Sequence, residues 1–391
     1  MVRMSENKDI ALKVLAVFAI SRLVILIVYW IYLSVFHDRS GFQTIFGRWD
    51  ALYYVDMVRN GYELPLGHNA QVNLAFFPLY PLVCRGLALI TLWKIPVFYT
   101  CLIVSNTAVY FAAFFAVKLI RMMGLYRFED KTFFQGLFKD GLLIAWLILM
   151  GPFTVYFATA YTESLFIFLV VLCFYFIKSK NFLAAGAVAG LASGTRSLGA
   201  VLFIPMIVEM VVTLRKERAG AGTGEIIKGI FSRPQWLLGL ILVPSGTFAY
   251  MGYLKWFCGD AWAFTHVQTA WRSEKMLPVA GVLFKACTGQ LEARYTVMGW
   301  ICIAAIALFI YMWKKEFKTM ASYGLATLLI ALSSHVMSTP RFISGCFVAW
   351  VGIYYVLVRM KKAPRIIGIL GLGAGGIMTI ALWMAWSKAV M

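Results

Sequence analysis

Residues 76–93 read FFPLYPLVCRGLALITLW, and the way this stretch meets a bilayer decides the architecture of the chain. It is apolar enough to cross a membrane, yet it holds Pro78, Pro81 and Arg85. Proline fixes φ and lacks an N–H, which suits the first turn of a helix and restricts the residue before it. The stretch therefore reads as a helix with a rigid entry. What must be settled is whether that helix spans the bilayer or lies on its surface, with Arg85 reaching a lipid phosphate or snorkelling to water.

The rest of the chain supplies the answer. Of its 391 residues, 62% are hydrophobic and 14% charged, against about half and about a quarter in a soluble domain. Apolar runs of spanning length recur from end to end, which indicates an all-α, polytopic transmembrane bundle. A β-barrel would show short alternating segments instead. The first run, Ala11 to Phe36, is too long for a signal-peptide core and is followed by no small-residue cleavage site, so it reads as a retained span.

Hydropathy places eleven spans near 12–35, 98–118, 140–157, 162–178, 182–195, 199–214, 236–256, 294–313, 321–337, 342–358 and 366–387. Basic residues gather at the N-terminus and in 118–139, 178–180, 214–235, 314–318 and 359–365. If 76–93 crosses, the N-terminus and the later basic loops fall on opposite sides. If it lies on the outer surface as an interfacial helix, all of them share the cytoplasmic side. The second arrangement is expected, with the N-terminus inside and the C-terminus outside. Residues 36–97 and 257–293 become long outer loops, and 158–161, 196–198 and 338–341 become tight outer turns. With no repeat or polar linker, residues 1–391 read as one domain. The net charge of +19 is accounted for by the cytoplasmic loops, so no nucleic-acid partner is expected.

Charges are rare enough here to be informative. Within 47–63, GRWDALYYVDMVRNGYE, a helical run ends at Gly61. Asp50, Tyr53 and Tyr54 share one face of it by i, i+3 and i+4 spacing. A carboxylate among aromatics at an apolar surface is partly desolvated, which favours a role as base. An interfacial helix with an aromatic belt and a solvated aspartate explains the same residues.

Glu163 begins an apolar run, with Thr162 as a candidate N-cap. Arg196 interrupts another, and Arg341 occupies a similar turn. A charge between spans is costly unless paired or wet, so the natural partners of Arg196 are Glu163 or an anionic ligand. Two arginines that converge would suit a phosphate. Phe264, Gln268, Trp271 and Arg272 share a helical face in the second loop, where they suit either sugar binding or an interfacial belt. The sequence holds no P-loop, GxGxxG after a strand, HExxH or DxD, and its four histidines have no metal spacing, so no metal or nucleotide cofactor is expected. Cys84, Cys101, Cys173, Cys302 and Cys346 lie in apolar runs and read as packing residues. Cys258 and Cys287 share the second loop and would pair in an oxidising compartment. Arg22, inside the first span, has no evident role.

A set of these words, in order, resembles one family. They are Trp49-Asp50-x-x-Tyr53-Tyr54 with Gly61-Tyr62, Ala75 to Pro81, Tyr161 to Phe166, Thr195-Arg196, the Gly259-Asp260 loop with Gln268 and Trp271, and Pro340-Arg341-Phe342. Together they resemble the PIG-V type mannosyltransferases, of the GT-C class of membrane glycosyltransferases. The resemblance implies a polyprenyl-phosphate sugar donor, mannose being the expected sugar. It also implies a glycan, lipid or protein acceptor at the outer or luminal face, and inverting transfer with Asp50 as the base. Trp49, Tyr53, Tyr54, Glu163, Arg196, Gln268, Trp271, Arg272 and Arg341 would bind substrate, the arginines facing the leaving phosphate. The membrane would be the plasma membrane of a prokaryote or the ER of a eukaryote, and the absence of an Asn-x-Ser/Thr sequon points to the former. A transporter or lipid flippase, or a non-catalytic assembly subunit, would share the span count without the chemistry.

Overall fold

The structure, a computed structural model, describes residues 2–64, 72–125, 138–270, 279–333 and 339–385. Every regular element among them is helical. The order begins α1 (Val2–Phe36), α2 (Phe42–Phe46), α3 (Asp50–Asn60), α4 (Leu79–Ile90), α5 (Val97–Met122) and α6 (Leu142–Met150). It continues with α7 (Glu163–Lys178), α8 (Phe182–Thr195), α9 (Phe203–Glu217), α10 (Thr223–Phe231), α11 (Pro234–Leu242) and α12 (Ser245–Cys258). It ends with α13 (Ala263–His266), α14 (Val279–Cys287), α15 (Ala293–Lys314), α16 (Lys318–Leu332), α17 (Thr339–Gly345), α18 (Phe347–Arg359) and α19 (Lys362–Met384).

Five stretches are long and apolar enough to cross a membrane: Glu6–Phe36, Val97–Met122, Ser197–Glu217, Ala293–Lys314 and Lys362–Met384. A sixth arises if α11 and α12, bent by 44° at their junction, act as one. The other apolar segments are shorter helices, among them α4, α8, α16 and α18. Along α1, Leu12, Leu15, Ile20, Leu23, Leu26, Trp30 and Ile31 all point outward, as they would towards lipid rather than water.

The α4 helix has 12 residues, about 18 Å at the helical rise and short of a hydrocarbon core of about 30 Å. Pro78 stands at its N-cap and Pro81 in its first turn, where a missing N–H costs nothing. Tyr80, Pro81, Cys84 and Ala88 face inward, whereas Leu82, Val83, Leu89 and Ile90 face out. The inner face packs on α3, α5 and α8.

The expected span at 140–157 is not one helix. The α6 helix stops at Met150, and a 3-10 turn covers Thr154–Ala158. Gly151 and Pro152 break the ladder between them, and Phe153 has φ +63. At Gly151 any Cβ would press on the Trp350 ring at 2.6 Å. The chain does turn between Ala158 and Glu163, and Thr159, Ala160 and Tyr161 in that turn are buried. The first loop folds over them, and the Thr159 hydroxyl donates to the Phe46 carbonyl.

Irregular backbone inside an apolar bundle must find partners within the protein. Thr379 accepts from the Phe153 N–H at 3.0 Å, Ser105 donates to the Tyr161 carbonyl at 3.3 Å, and Ser164 donates to the Phe157 carbonyl at 3.3 Å. Arg22 belongs to this set. Its Nη2 reaches the Phe157 carbonyl at 3.3 Å, its Nε reaches Asn106 Oδ1 at 2.6 Å, and its guanidinium lies 4.6 Å from the Phe18 ring centroid. This arginine ties α1 to α5 and to the broken segment.

The α8 helix, FLAAGAVAGLASGT, is capped by Asn181, whose side chain accepts from the Ala184 N–H at 3.1 Å. Gly186, Gly190 and Gly194 recur every fourth residue, so they form one stripe. That stripe meets α11 and α12 with backbone nearly touching: a Cβ on Gly186 would run into the Gly239 carbonyl, and one on Gly190 would lie 2.6 Å from the Leu242 carbonyl oxygen. Small residues at this spacing are how helices approach closely in lipid. Gly186→Leu is therefore expected to lower the thermal stability of the detergent-purified protein by about 2–3 kcal/mol, the cost of severe overpacking. Gly252→Ala, on a face where an added Cβ meets nothing within 4 Å, serves as the neutral control in the same melt.

Candidate functional site

The approach to the site begins with a strained turn. Trp49 precedes α3 with φ +53 and ψ −123, a conformation that a bulky residue adopts only when its surroundings enforce it. The enforcement comes from the end of α19. Arg48 Nη1 donates to the carbonyls of Trp383 and Met384 at 2.9 Å each, filling acceptors that a helix end leaves open. The Trp383 indole donates to the Ile45 carbonyl at 3.0 Å, and its ring meets Trp49 edge-on with centroids 4.4 Å apart. Arg48→Met is expected to cost about 1–3 kcal/mol by orphaning these carbonyls. Quenching of tryptophan fluorescence should report the loosened Trp49–Trp383 contact, and an unchanged melt and spectrum would argue against the clamp.

Beyond this turn, Asp50 is the first residue of α3, and Glu163 is the first residue of α7. Both carboxylates thus sit at positive helix ends. Between them lies Arg341. Its Nη1 binds Asp50 Oδ2 at 2.6 Å, and its Nε and Nη2 bind Glu163 Oε1 at 2.8 and 2.7 Å. Arg196 Nη1 also binds Glu163 Oε1. Two carboxylates therefore balance two guanidiniums. Their side chains are unequally exposed: 1% for Glu163, 13% for Arg341, 17% for Arg196 and 26% for Asp50. Asp50 is the wettest of the four, and among the described residues its Oδ1 has no hydrogen-bond partner.

Aromatic rings form the floor. The Arg341 guanidinium carbon lies 4.8 Å from the Tyr161 ring centroid and 5.8 Å from that of Tyr156, and Arg196 lies between Phe166 and Phe342. Burial works against the charge on Arg341, but Glu163 and Asp50 outweigh it and hold the guanidinium more firmly protonated than in water. Tyr54 is buried, with its hydroxyl 3.4 Å from that of Thr162. Thr162 stands at the N-cap of α7, but its side chain makes no capping bond. Tyr53 stacks on Phe76 at 5.0 Å. Burial first, then the charges of Asp50 and Glu63, raise the Tyr53 phenol above its ordinary value, so it stays a neutral hydroxyl beside the carboxylate.

The sequence reading offered Glu163 or an anion as the partner of Arg196 and weighed the convergence of the two arginines; the fold pairs Arg196 with Glu163 and joins Asp50 to them through Arg341. Asp50 is held in an ion pair with Arg341, a partner that the aromatic spacing did not suggest. Gln268 does not join the cluster through any described contact; its amide donates to the Phe264 carbonyl at 3.1 Å. Phe264 itself packs with Phe77 and Tyr250 in a small second core, through which the 257–293 segment holds the 36–97 segment. Within that core the Tyr250 hydroxyl donates to the Leu74 carbonyl at 2.8 Å. Trp271 and Arg272 lie outside the described residues. Cys258 and Cys287 are unpaired thiols: Cys258 Sγ donates to the Leu254 carbonyl, while Cys287 Sγ is turned towards Gly299 of α15.

The cluster occupies one end of the bundle. At the other end of α7, Lys180 pairs with Glu209, which also accepts from Thr319. Lys13–Asp140 and Arg121–Glu6 tie α1 to its neighbours far from the cluster along the helix axes. No protein-family model matches the chain and no curated protein is significantly similar to it, so its own residues carry the functional reading.

Proposed function

We propose that the protein is a membrane glycosyltransferase of the PIG-V type. It moves a sugar, mannose in the first instance, from a polyprenyl-phosphate donor to an acceptor hydroxyl, with inversion. The reading rests chiefly on one observation: a partly exposed carboxylate, Asp50, with one oxygen open, is paired with Arg341, which shares a buried glutamate with Arg196. In the reaction, Asp50 Oδ1 accepts the hydroxyl proton as the acceptor oxygen bonds to the anomeric carbon. The bond from that carbon to the phosphate oxygen breaks, and the phosphate keeps the electron pair. Arg341 and Arg196 stabilise the charge that develops there. A phosphate leaves without prior protonation, so one base is enough, and the scheme uses no metal or nucleotide.

In this reading the long apolar helices cross the bilayer with the N-terminus in the cytoplasm, and the cluster faces the outer or luminal side. The α4 helix then lies in the outer interface, consistent with its 12-residue length and outward Leu82, Val83, Leu89 and Ile90. The membrane is the plasma membrane of a prokaryote or the ER of a eukaryote.

A transporter or flippase is the second reading. It is favoured by discontinuous helices, at the 44° bend between α11 and α12 and at the break after α6. The two readings separate in sealed vesicles supplied with labelled polyprenyl-phosphate mannose. A transferase yields free polyprenyl phosphate and a labelled acceptor. A flippase moves intact label across the bilayer with no bond broken, and that outcome would replace the transferase reading.

A further inference from the structure

We infer that Arg341 is an exchangeable arginine: in the free protein it neutralises Asp50, and an incoming anionic phosphate takes Asp50's place on it and thereby uncovers the base. The inference rests on the proposed transfer reaction for the identity of the anion as a lipid-linked phosphate. The exchange itself follows from the geometry.

Arg341 has two carboxylate partners, and they are not equivalent. Glu163 is 1% exposed, binds Nε and Nη2 of Arg341, and also holds Arg196. Asp50 is 26% exposed and binds Nη1. A buried carboxylate cannot leave its cations without stranding charge, whereas a wetter one is rehydrated when it departs. The face of the guanidinium towards Tyr161 is covered by that ring, with Tyr156 beyond it. The Nη1 edge, where Asp50 sits, is therefore the edge at which another oxyanion can enter.

Charge balance gives the exchange its direction. The free cluster holds two positive and two negative groups. A phosphate oxygen on Arg341 Nη1 keeps that guanidinium fully paired and leaves Asp50 without its cation. A carboxylate released from a cation accepts a proton more readily. Donor binding and release of the base thus become one event, and Asp50 stays paired with Arg341 while the site lacks donor. Glu163 is a positioning residue here. It keeps Arg341 and Arg196 in place while Arg341 changes its other ligand.

The test is a binding titration on the full-length protein in detergent, with polyprenyl phosphate, inorganic phosphate and uncharged polyprenol as separate probes. Asp50→Asn and Asp50→Ala remove the competing carboxylate. Both are expected to bind polyprenyl phosphate about fivefold more tightly than the wild type, the scale of a partly exposed ion pair, with polyprenol binding unchanged. A role for Asp50 that is merely structural would weaken binding. Equal or weaker affinity for both inorganic phosphate and the lipid in both variants overturns the exchange and leaves the proposed function standing, because product-lipid binding persists. Tightening for inorganic phosphate but not for the lipid supports the exchange and overturns the lipid donor. Absence of polyprenyl phosphate binding to all three proteins overturns both.

Discussion

Glu163→Gln is expected to destabilise the folded protein by about 3 kcal/mol, the cost of removing one partner from a buried ion pair. The side chain is 1% exposed and serves both guanidiniums. Glutamine keeps the shape and an acceptor oxygen but no charge. Arg341 would retain only Asp50, and Arg196 would have no carboxylate among the described residues. Asp50→Asn should behave differently. Its side chain is 26% exposed and Arg341 keeps Glu163, so the expected loss is under about 1 kcal/mol. Thermal melts of the two variants in one detergent measure the contrast. A second substitution, Arg196→Met, should restore part of the Glu163→Gln loss, because it removes the stranded charge. Equal losses for Glu163→Gln and Asp50→Asn would mean that the buried carboxylate is not the centre of the cluster.

Asp50→Asn is expected to reduce sugar transfer by about 10²–10⁴-fold, the usual contribution of a positioned general base, while expression and melting temperature stay near wild type. Asparagine keeps a hydrogen bond to Arg341 but cannot take a proton from the acceptor. The combination of lost turnover with tighter phosphate binding is specific to a base that also competes for the phosphate's arginine. Transfer at wild-type rate by the Asp50→Asn protein would remove Asp50 from the chemistry.

Asp50, Glu163, Arg196 and Arg341 were legible in the sequence because an isolated charge in an apolar chain needs a partner or water. That Arg341 bridges Asp50 to Glu163 was not legible, since Asp50 and Arg341 are 291 positions apart and no local pattern joins them. The α3 helix was readable from its aromatic spacing and from Gly61, which has φ +84 at its end. The Trp49 turn was not, because what enforces it is the end of α19, 335 positions from Arg48. The break after α6 was hidden by composition. Residues 142–158 are apolar throughout apart from Thr154, so hydropathy saw one span where Gly151 and Pro152 end a helix. The stripe of Gly186, Gly190 and Gly194 was in plain view at small-xxx-small spacing, and its signal lay in the period rather than in any one residue. Arg22 could be recognised as costly but not explained, because its acceptors are an amide and a peptide carbonyl that only the folded chain brings to it.

The central claim is that this cluster breaks the bond between a sugar and a lipid phosphate. Its most direct test is to incubate the purified protein with polyprenyl-phosphate mannose and candidate acceptors and to quantify the free polyprenyl phosphate formed. Wild-type protein is predicted to release it, with mannose transferred in inverted configuration, and the Asp50→Asn protein to stay at background. Release by both proteins at the same rate, or passage of the intact donor across a membrane without any release, would contradict the account.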